Sequence, residues 1–269
     1  MALGDTMVIE SSQNKIIKLV KALQTKKERE KQKLFVAEGA RFVSEATEGC
    51  QFFLLSESFA ATADVAQYEK KAPVYLTKDA LFETVTETEH AQGVLAVVKQ
   101  PVFDCNEVIA KAGEKGFFVL AEAMQDPGNL GTLIRTAAAC GVQGVFLTKG
   151  TVDVYNPKVL RSTMGAIFHV PVVRDVSAKD TISLLQQAGI AVYAAHLKGE
   201  GFPYDLPLQK GCCFAIGNEA NGLQEETAAL CNALVKIPMP GQAESLNASV
   251  AAAVLMYEVV RQRIGTTQP

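Results

Sequence analysis

Six short, nearly unbroken apolar runs recur through the second part of this chain, at residues 117–121, 145–148, 170–173, 190–195, 212–216 and 233–237. Most are separated by stretches long enough for a helix. A strand with water on one face alternates apolar and polar residues, so a strand apolar throughout is one covered on both faces. That is the habit of a parallel sheet packed between helices. The second part of the chain is therefore expected to be α/β with a parallel sheet, and its ligand site is expected in the loops at the carboxyl ends of those strands.

Residues before about 98 read differently. Ile16, Ile17, Leu19, Val20 and Leu23 fall at helical spacing over residues 14–23, and a polar, charged stretch follows to residue 33. Short apolar runs at 34–37, 52–55, 74–76 and 94–98 then predict a small sheet in a mixed α/β unit. Lys99-Gln100-Pro101, followed by Asp104 and Asn106, breaks the pattern. The expected organisation is a first domain over residues 1–100, a linker over 101–112 and a second domain over 113–269, a division that a chain of 269 residues accommodates.

Several chemistries are excluded by what the loops lack. A dinucleotide site wants a G-x-G-x-x-G turn after a strand, yet the 117–121 run enters Glu122-Ala123-Met124-Gln125-Asp126-Pro127-Gly128. There is no phosphate-binding G-x-x-x-x-G-K-[ST] loop and no G-x-S-x-G elbow, and Gly199 and Gly201 form only a lone G-x-G. The six cysteines include no C-x-x-C pair and the three histidines are far apart, so the thiols are expected to be structural and no metal site is expected. No apolar run is long enough to cross a bilayer and no secretory leader is evident, which predicts a cytoplasmic protein without membrane contact.

Charge enters through its distribution. The net charge is -3, but the eight basic residues from Lys15 to Lys33 against Glu28 and Glu30 give that segment +6 and leave -9 elsewhere. Such a run is either a solvated helix face or a phosphate-binding patch, because clustered lysines bind nucleic acid by releasing its counterions. Lys15, Lys18, Lys26, Lys27 and Arg29 are the candidates here.

Three polar clusters follow apolar strands. In the first, Asp126-Pro127-Gly128 makes a turn, Asn129 is placed to cap or precede a helix, and Arg135 follows among small residues, where a guanidinium calls for an anionic partner. In the second, Gly217-Asn218-Glu219-Ala220-Asn221-Gly222-Leu223, glycines allow close backbone approach and Glu219 sits at the sheet's edge. The third runs from Ile237 and Met239 through Ser245, Leu246, Asn247 and Ser249 into a long helix, with Ser245 and Asn247 open either as caps or as ligand contacts.

In this order the clusters resemble the SpoU (TrmH-type) family of RNA ribose 2'-O-methyltransferases, in the SPOUT class. The matching pieces are N-x-G-x-x-x-R at Asn129, Gly131 and Arg135, G-N-E-x-x-G-L at residues 217–223, and I-P-M followed by S-L-N-x-S between Ile237 and Ser249. The stretch NPKVLRSTMGAIFHVPV, with Arg161, is also similar to the family, and the first part, with KLFVAEGARFV and its Arg41, is similar to the ribosomal-protein-like substrate-binding domain of rRNA-directed members. The resemblance implies a knotted parallel-sheet catalytic domain that binds S-adenosylmethionine and pairs as a homodimer, preceded by a small α/β RNA-binding domain. It implies a cofactor held by loops near Ala195 and His196, at Gly217, and from Ile237 through Met239 to Leu246. Arg135 matches the family's catalytic arginine, with Asn129 and Asn247 orienting ribose or arginine, and with Ser245 and Glu219 holding loops and the cofactor's polar ends. Arg41 and Arg161 join the lysines as expected RNA contacts. Ribosomal RNA, that of the large subunit favoured, is the expected substrate and DNA is not, since only RNA offers a ribose 2'-hydroxyl. The alternatives are a tRNA-directed enzyme or a non-catalytic RNA-binding or ribosome-assembly protein of the same fold.

Overall fold

The computed structural model describes residues 8–46, 48–88 and 90–264. They fall into two compact units, one comprising Met1–Pro101 together with Tyr155–Phe168, the other Val102–Val154 with His169–Pro269.

The first unit holds a five-stranded sheet in the order β1-β4-β3-β5-β2, formed by β1 (Val8–Ile9), β2 (Leu34–Glu38), β3 (Cys50–Ser56), β4 (Val74–Thr77) and β5 (Val94–Lys99). Strand β5 runs antiparallel to both of its neighbours, and the β1–β4 and β3–β4 pairs are parallel. The expected helix is α1 (Lys15–Ala22), capped by Asn14, whose side chain accepts from the Ile16 amide at 2.8 Å. Its Ile16, Ile17 and Val20 pack with Phe52, Leu54, Phe82, Leu95 and Val97. The charged stretch that follows is also helical, as α2 (Lys26–Gln32), started by Thr25 and ended by Lys33 in the left-handed region at φ 55°. Short helices α3 (Ala40–Glu45), α4 (Glu57–Thr62), α5 (Val65–Glu69) and α6 (Asp79–Glu83) complete the first hundred residues.

The second unit holds a six-stranded, wholly parallel sheet of β6 (Phe117–Ala121), β7 (Gly144–Thr148), β8 (Val172–Val176), β9 (Ala191–Ala195), β10 (Cys212–Ile216) and β11 (Ala233–Val235), ordered β11-β9-β10-β6-β7-β8. Every residue of β6, β7 and β10 is buried, the condition that their apolar runs demand. Part of the expected linker is instead α7 (Cys105–Ala112), capped by Asp104, with Val108 and Ile109 buried against the sheet core. Its apolar positions recur at three and four residues, so burial outweighs the turn-forming residues ahead of it. Helices α8 (Pro127–Ala139), α10 (Ala178–Gln187), α11 (Glu225–Leu230) and α12 (Ala248–Ile264) flank the sheet, and α9 (Pro157–Thr163) belongs to the first unit. There Tyr155 stacks on Phe35 with ring centroids 4.7 Å apart. All six cysteines are free; Cys212 and Cys213 are buried in β10, and burial pushes the Cys212 thiol up to about 11. Among the described residues no helix is long and apolar enough to cross a membrane.

Candidate active site at the carboxyl edge of the parallel sheet

Because β6 and β10 lie side by side and parallel, the loops that leave their carboxyl ends meet. The β6 loop turns sharply at Ala123, whose φ is +48°, and two side chains of the β10 loop hold the turn. The Asn218 amide donates to the Ala123 carbonyl at 2.8 Å. Glu219 accepts from the Gln125 and Asp126 amides at 3.0 Å each and from the Asn129 side chain at 3.1 Å. Burial alone would raise the Glu219 carboxyl, but the hydrogen bonds from Gln125, Asn129, its own backbone and Asp126 outweigh it and hold the group below its usual value.

Asp126, and not Asn129, caps α8: its carboxylate accepts from the Asn129 amide at 2.7 Å. That leaves the buried Asn129 side chain within the helix's first turn, free to join two loops. It donates to Glu219, and its oxygen accepts from the Asn247 side chain at 2.8 Å and from the Ser249 hydroxyl at 3.5 Å. Asn247 is the cap of α12, accepting from the Ser249 amide and hydroxyl at 2.9 and 2.7 Å and from the Val250 amide at 3.3 Å. Glu219, Asn129, Asn247 and Ser249 thus form one continuous network across three clusters far apart in sequence. Ser249, Asn218 and Gln125 were not singled out from the sequence, although each lies within or beside a motif that was.

Arg135 lies outside that network. Seven residues beyond Gly128 on α8, it is exposed on the same helix as the exposed Gly128 and Thr132 and makes no hydrogen bond or ion pair with a described residue. A cation flanked by side chains this small is reachable by an incoming anion. Ser245 is likewise exposed, in the stretch from Gly241 to Asn247, and does not join the network.

Strands β11, β9 and β10 are also neighbours, with Ala195 opposite Val235 and Ala194 opposite Ala215. Their exits therefore bring Ala195 and His196, Gly217, and Ile237 to one edge. The His196 amide donates to the Val235 carbonyl at 2.9 Å, tying two of these exits together. Gly217 is required: a Cβ there would lie 2.1 Å from the Gly222 carbonyl carbon and the Leu223 nitrogen. Ile237 and Met239 are half-buried and Leu246 is exposed, giving this edge an apolar lining with backbone polar groups and no anion-binding glycine turn.

The expected RNA contacts divide. Lys15, Lys18, Lys26 and Lys27 are exposed, with Lys26 3.5 Å from Glu30. Arg29 departs from expectation: it is 3% exposed, and its guanidinium donates to the Leu23 and Gln24 carbonyls at 2.9 and 2.8 Å. It satisfies backbone acceptors left open where α1 ends, so it is unavailable to phosphate. Arg41 and Arg161, 120 residues apart, line one cleft of the first unit.

The SpoU rRNA Methylase family matches residues 116–257, more than half of the chain. The chain belongs to the SpoU family. An MRM3-like substrate binding domain matches residues 14–96. Among SpoU relatives, a 23S rRNA (guanosine(2553)-2'-O)-methyltransferase of Bacillus subtilis (strain 168) is 38% identical over 93% of this chain and 98% of its own length. A 23S rRNA (uridine(2479)-2'-O)-methyltransferase of Streptomyces viridochromogenes is 35% identical over 71% of this chain and 68% of its own. An AdoMet-bound rRNA methyltransferase from Sinorhizobium meliloti superposes with a TM-score of 0.86 at 30% identity, over 96% of this chain and 99% of that one.

Proposed function

We propose that this chain is an S-adenosylmethionine-dependent methyltransferase acting on a ribose 2'-hydroxyl of ribosomal RNA, with large-subunit RNA favoured. The observation that carries the reading is the unpaired Arg135 on α8, the helix whose Asn129 is locked to Glu219 and Asn247. Family membership and the substrates named for the two relatives support it.

The cofactor edge fits the proposed ligand. Ile237, Met239 and Leu246 offer apolar surface to an adenine, Ala195, His196 and Gly217 offer close backbone, and an adenosyl group has no pyrophosphate to cradle. Bound there, S-adenosylmethionine supplies an electrophilic methyl group on a sulfonium. The chain's own work is to bring the ribose oxygen in line with it, and positioning of this kind accounts for much of the acceleration. Arg135 grips the target phosphate and stabilises negative charge developing on the 2'-oxygen. An arginine does not accept a proton at neutral pH, so the hydroxyl proton leaves through phosphate or water. Asn129 and Asn247 fix where the ribose and Arg135 sit, Glu219 holds the β6 loop against the β10 loop, and Ser245 contacts the ligands from its exposed stretch. Lys15, Lys18, Lys26, Lys27, Arg41 and Arg161 bind RNA.

Val250, Val254 and Tyr257 leave an exposed apolar stripe at i, i+4 and i+7 on α12, while Leu255 and Val259 are fully buried. This stripe supports pairing of two copies through the catalytic half. The knot, a cytoplasmic address and indifference to DNA belong to the same reading. Transfer of labelled methyl from S-adenosylmethionine to unmodified rRNA and, separately, tRNA tests it, with light scattering on the same preparation reporting a dimer or a monomer. A 2'-O-methyl mark on rRNA is expected. A mark on tRNA alone overturns the substrate, and cofactor binding without transfer to either overturns the activity.

A further inference from the structure

Helix α3 follows β2 through Gly39, whose φ of +98° suits glycine, and the side-chain oxygen of Gln92 accepts from the Ala40 amide at 2.8 Å. Glu38 is occupied as well, accepting from the Thr88 hydroxyl and, at 3.4 Å, from the Glu87 amide. These contacts tie the start of α3 to Thr88 and Gln92, which together with His90 and the end of α9 line a cleft of about 280 Å³. Helix α9 stops there because Met164 and Gly165 both take positive φ, at 51° and 91°, which turns Met164 outward to 43% exposure.

The remaining groups in the cleft are unusual for their lack of partners. Arg41, Arg161 and His90 make no hydrogen bond or ion pair with any described residue, and the Gln92 side-chain nitrogen donates to none. Among the described residues lining the cleft Glu38 is the sole carboxylate, and its hydrogen bonds hold it within the wall. Two guanidiniums that line one cleft and find no carboxylate partner among the described residues repel one another, and a phosphate relieves that repulsion by accepting from both forks. The volume admits one nucleotide and excludes a duplex. Met164 adds an apolar surface against which a base can lie, and the Gln92 amide a donor for a base edge.

We propose that this cleft captures a single unpaired nucleotide of the RNA substrate, its phosphate shared by Arg41 and Arg161 beside His90, and its base lodged against Met164 within reach of Gln92. The proposal rests on the RNA-directed reading above and adds the place where the strand is gripped. The grip is composite, since Arg161 comes from a segment far along the chain from Arg41 and His90.

The test uses the full-length protein, an in vitro transcript of 23S rRNA, and the variants Arg41→Gln, Arg161→Gln, their combination, and Arg161→Lys. RNA affinity is measured across a salt series, S-adenosylmethionine affinity by calorimetry, and methyl transfer in parallel. Each single glutamine variant is expected to weaken RNA binding roughly tenfold and to flatten its salt dependence. The pair, sharing one phosphate, should lose less than the product of the two single effects. Arg161→Lys should fall between wild type and Arg161→Gln, because a lysine keeps the charge and loses the fork. Cofactor affinity should not move. Wild-type RNA affinity in either single variant, or independent losses that multiply, overturns the cleft. Absence of methyl transfer by a wild-type protein that binds RNA overturns the enzymatic reading instead, and leaves the binding arm to decide the cleft.

Discussion

Polar side chains at the edge of the parallel sheet and in the cleft of the first unit are arranged on opposite principles. Around Glu219 each group answers another: two backbone amides and Asn129 donate to it, Asn247 and Ser249 complete Asn129, and the Ser249 amide completes Asn247. Arg135, the cation of this region, is left open. In the cleft it is the carboxylate that is occupied, by Thr88 and the Glu87 amide, while Arg41, Arg161 and His90 remain open. The first region is preorganised, with its hydrogen bonds formed before any ligand arrives, and the second is built to be completed by one. A residue's charge therefore says less about its task than whether the protein has already answered that charge.

The largest effect expected from breaking this contrast is at Arg135. Arg135→Ala should lower the rate of methyl transfer about 100-fold or more, a loss of the size seen when one donor to a developing oxyanion is removed. S-adenosylmethionine affinity should stay the same; a calorimetric loss as large as the kinetic one would reassign Arg135 to the cofactor.

Glu219 sharpens the comparison from the other side. Glu219→Gln should leave the β6 loop less firmly held, with a fall in transfer rate and a loss of about 1 kcal/mol in unfolding free energy. The pH dependence has a definite sign, because the native carboxyl lies below its ordinary value of 4.5. Its contribution is complete above that value and is lost as pH falls through the lowered native one. Urea titrations of wild type and variant should thus differ above pH 5 and converge in more acidic buffer.

A smaller set of effects separates three cations of α1 and α2. Arg29→Met should cost roughly 1–3 kcal/mol of stability, since the Leu23 and Gln24 carbonyls lose their charged donor, and it should leave the salt dependence of RNA binding unchanged. Lys15→Ala and Lys18→Ala should do the reverse, each flattening the salt dependence by about one unit of slope without moving the urea midpoint.

Much of the second unit was legible because its strands are buried on both faces and so carry no polar interruption; β6 and β10 fall on their expected residues. Strand ends were less so. Residues 170–173 became Val172–Val176 and residues 233–237 shortened to Ala233–Val235, since Arg174 and Asp175 can extend an edge strand where apolar count alone cannot show it. Strand β1 has two residues, too few for any periodicity. At the site, the motifs marked Asn129, Glu219 and Asn247, but which residue caps α8 depended on geometry: Asp126 and Asn129 are both good caps, and the chain uses the first so that the second can reach across. The burial of Arg29 was hidden for a related reason, because a run of like charges does not announce which member folds back onto the backbone.

The segment Tyr155–Phe168 has a further consequence. The chain leaves the first unit after Pro101, returns at Tyr155 and departs again after Phe168, so three junctions join the units where a simple tandem would have one. Recombination at the 101 boundary would exchange Arg41 and His90 while leaving Arg161 with the old partner. The RNA-gripping half of such a protein is therefore not an exchangeable cassette. Its specificity has to be inherited, or engineered, in two separate stretches of the gene that change together.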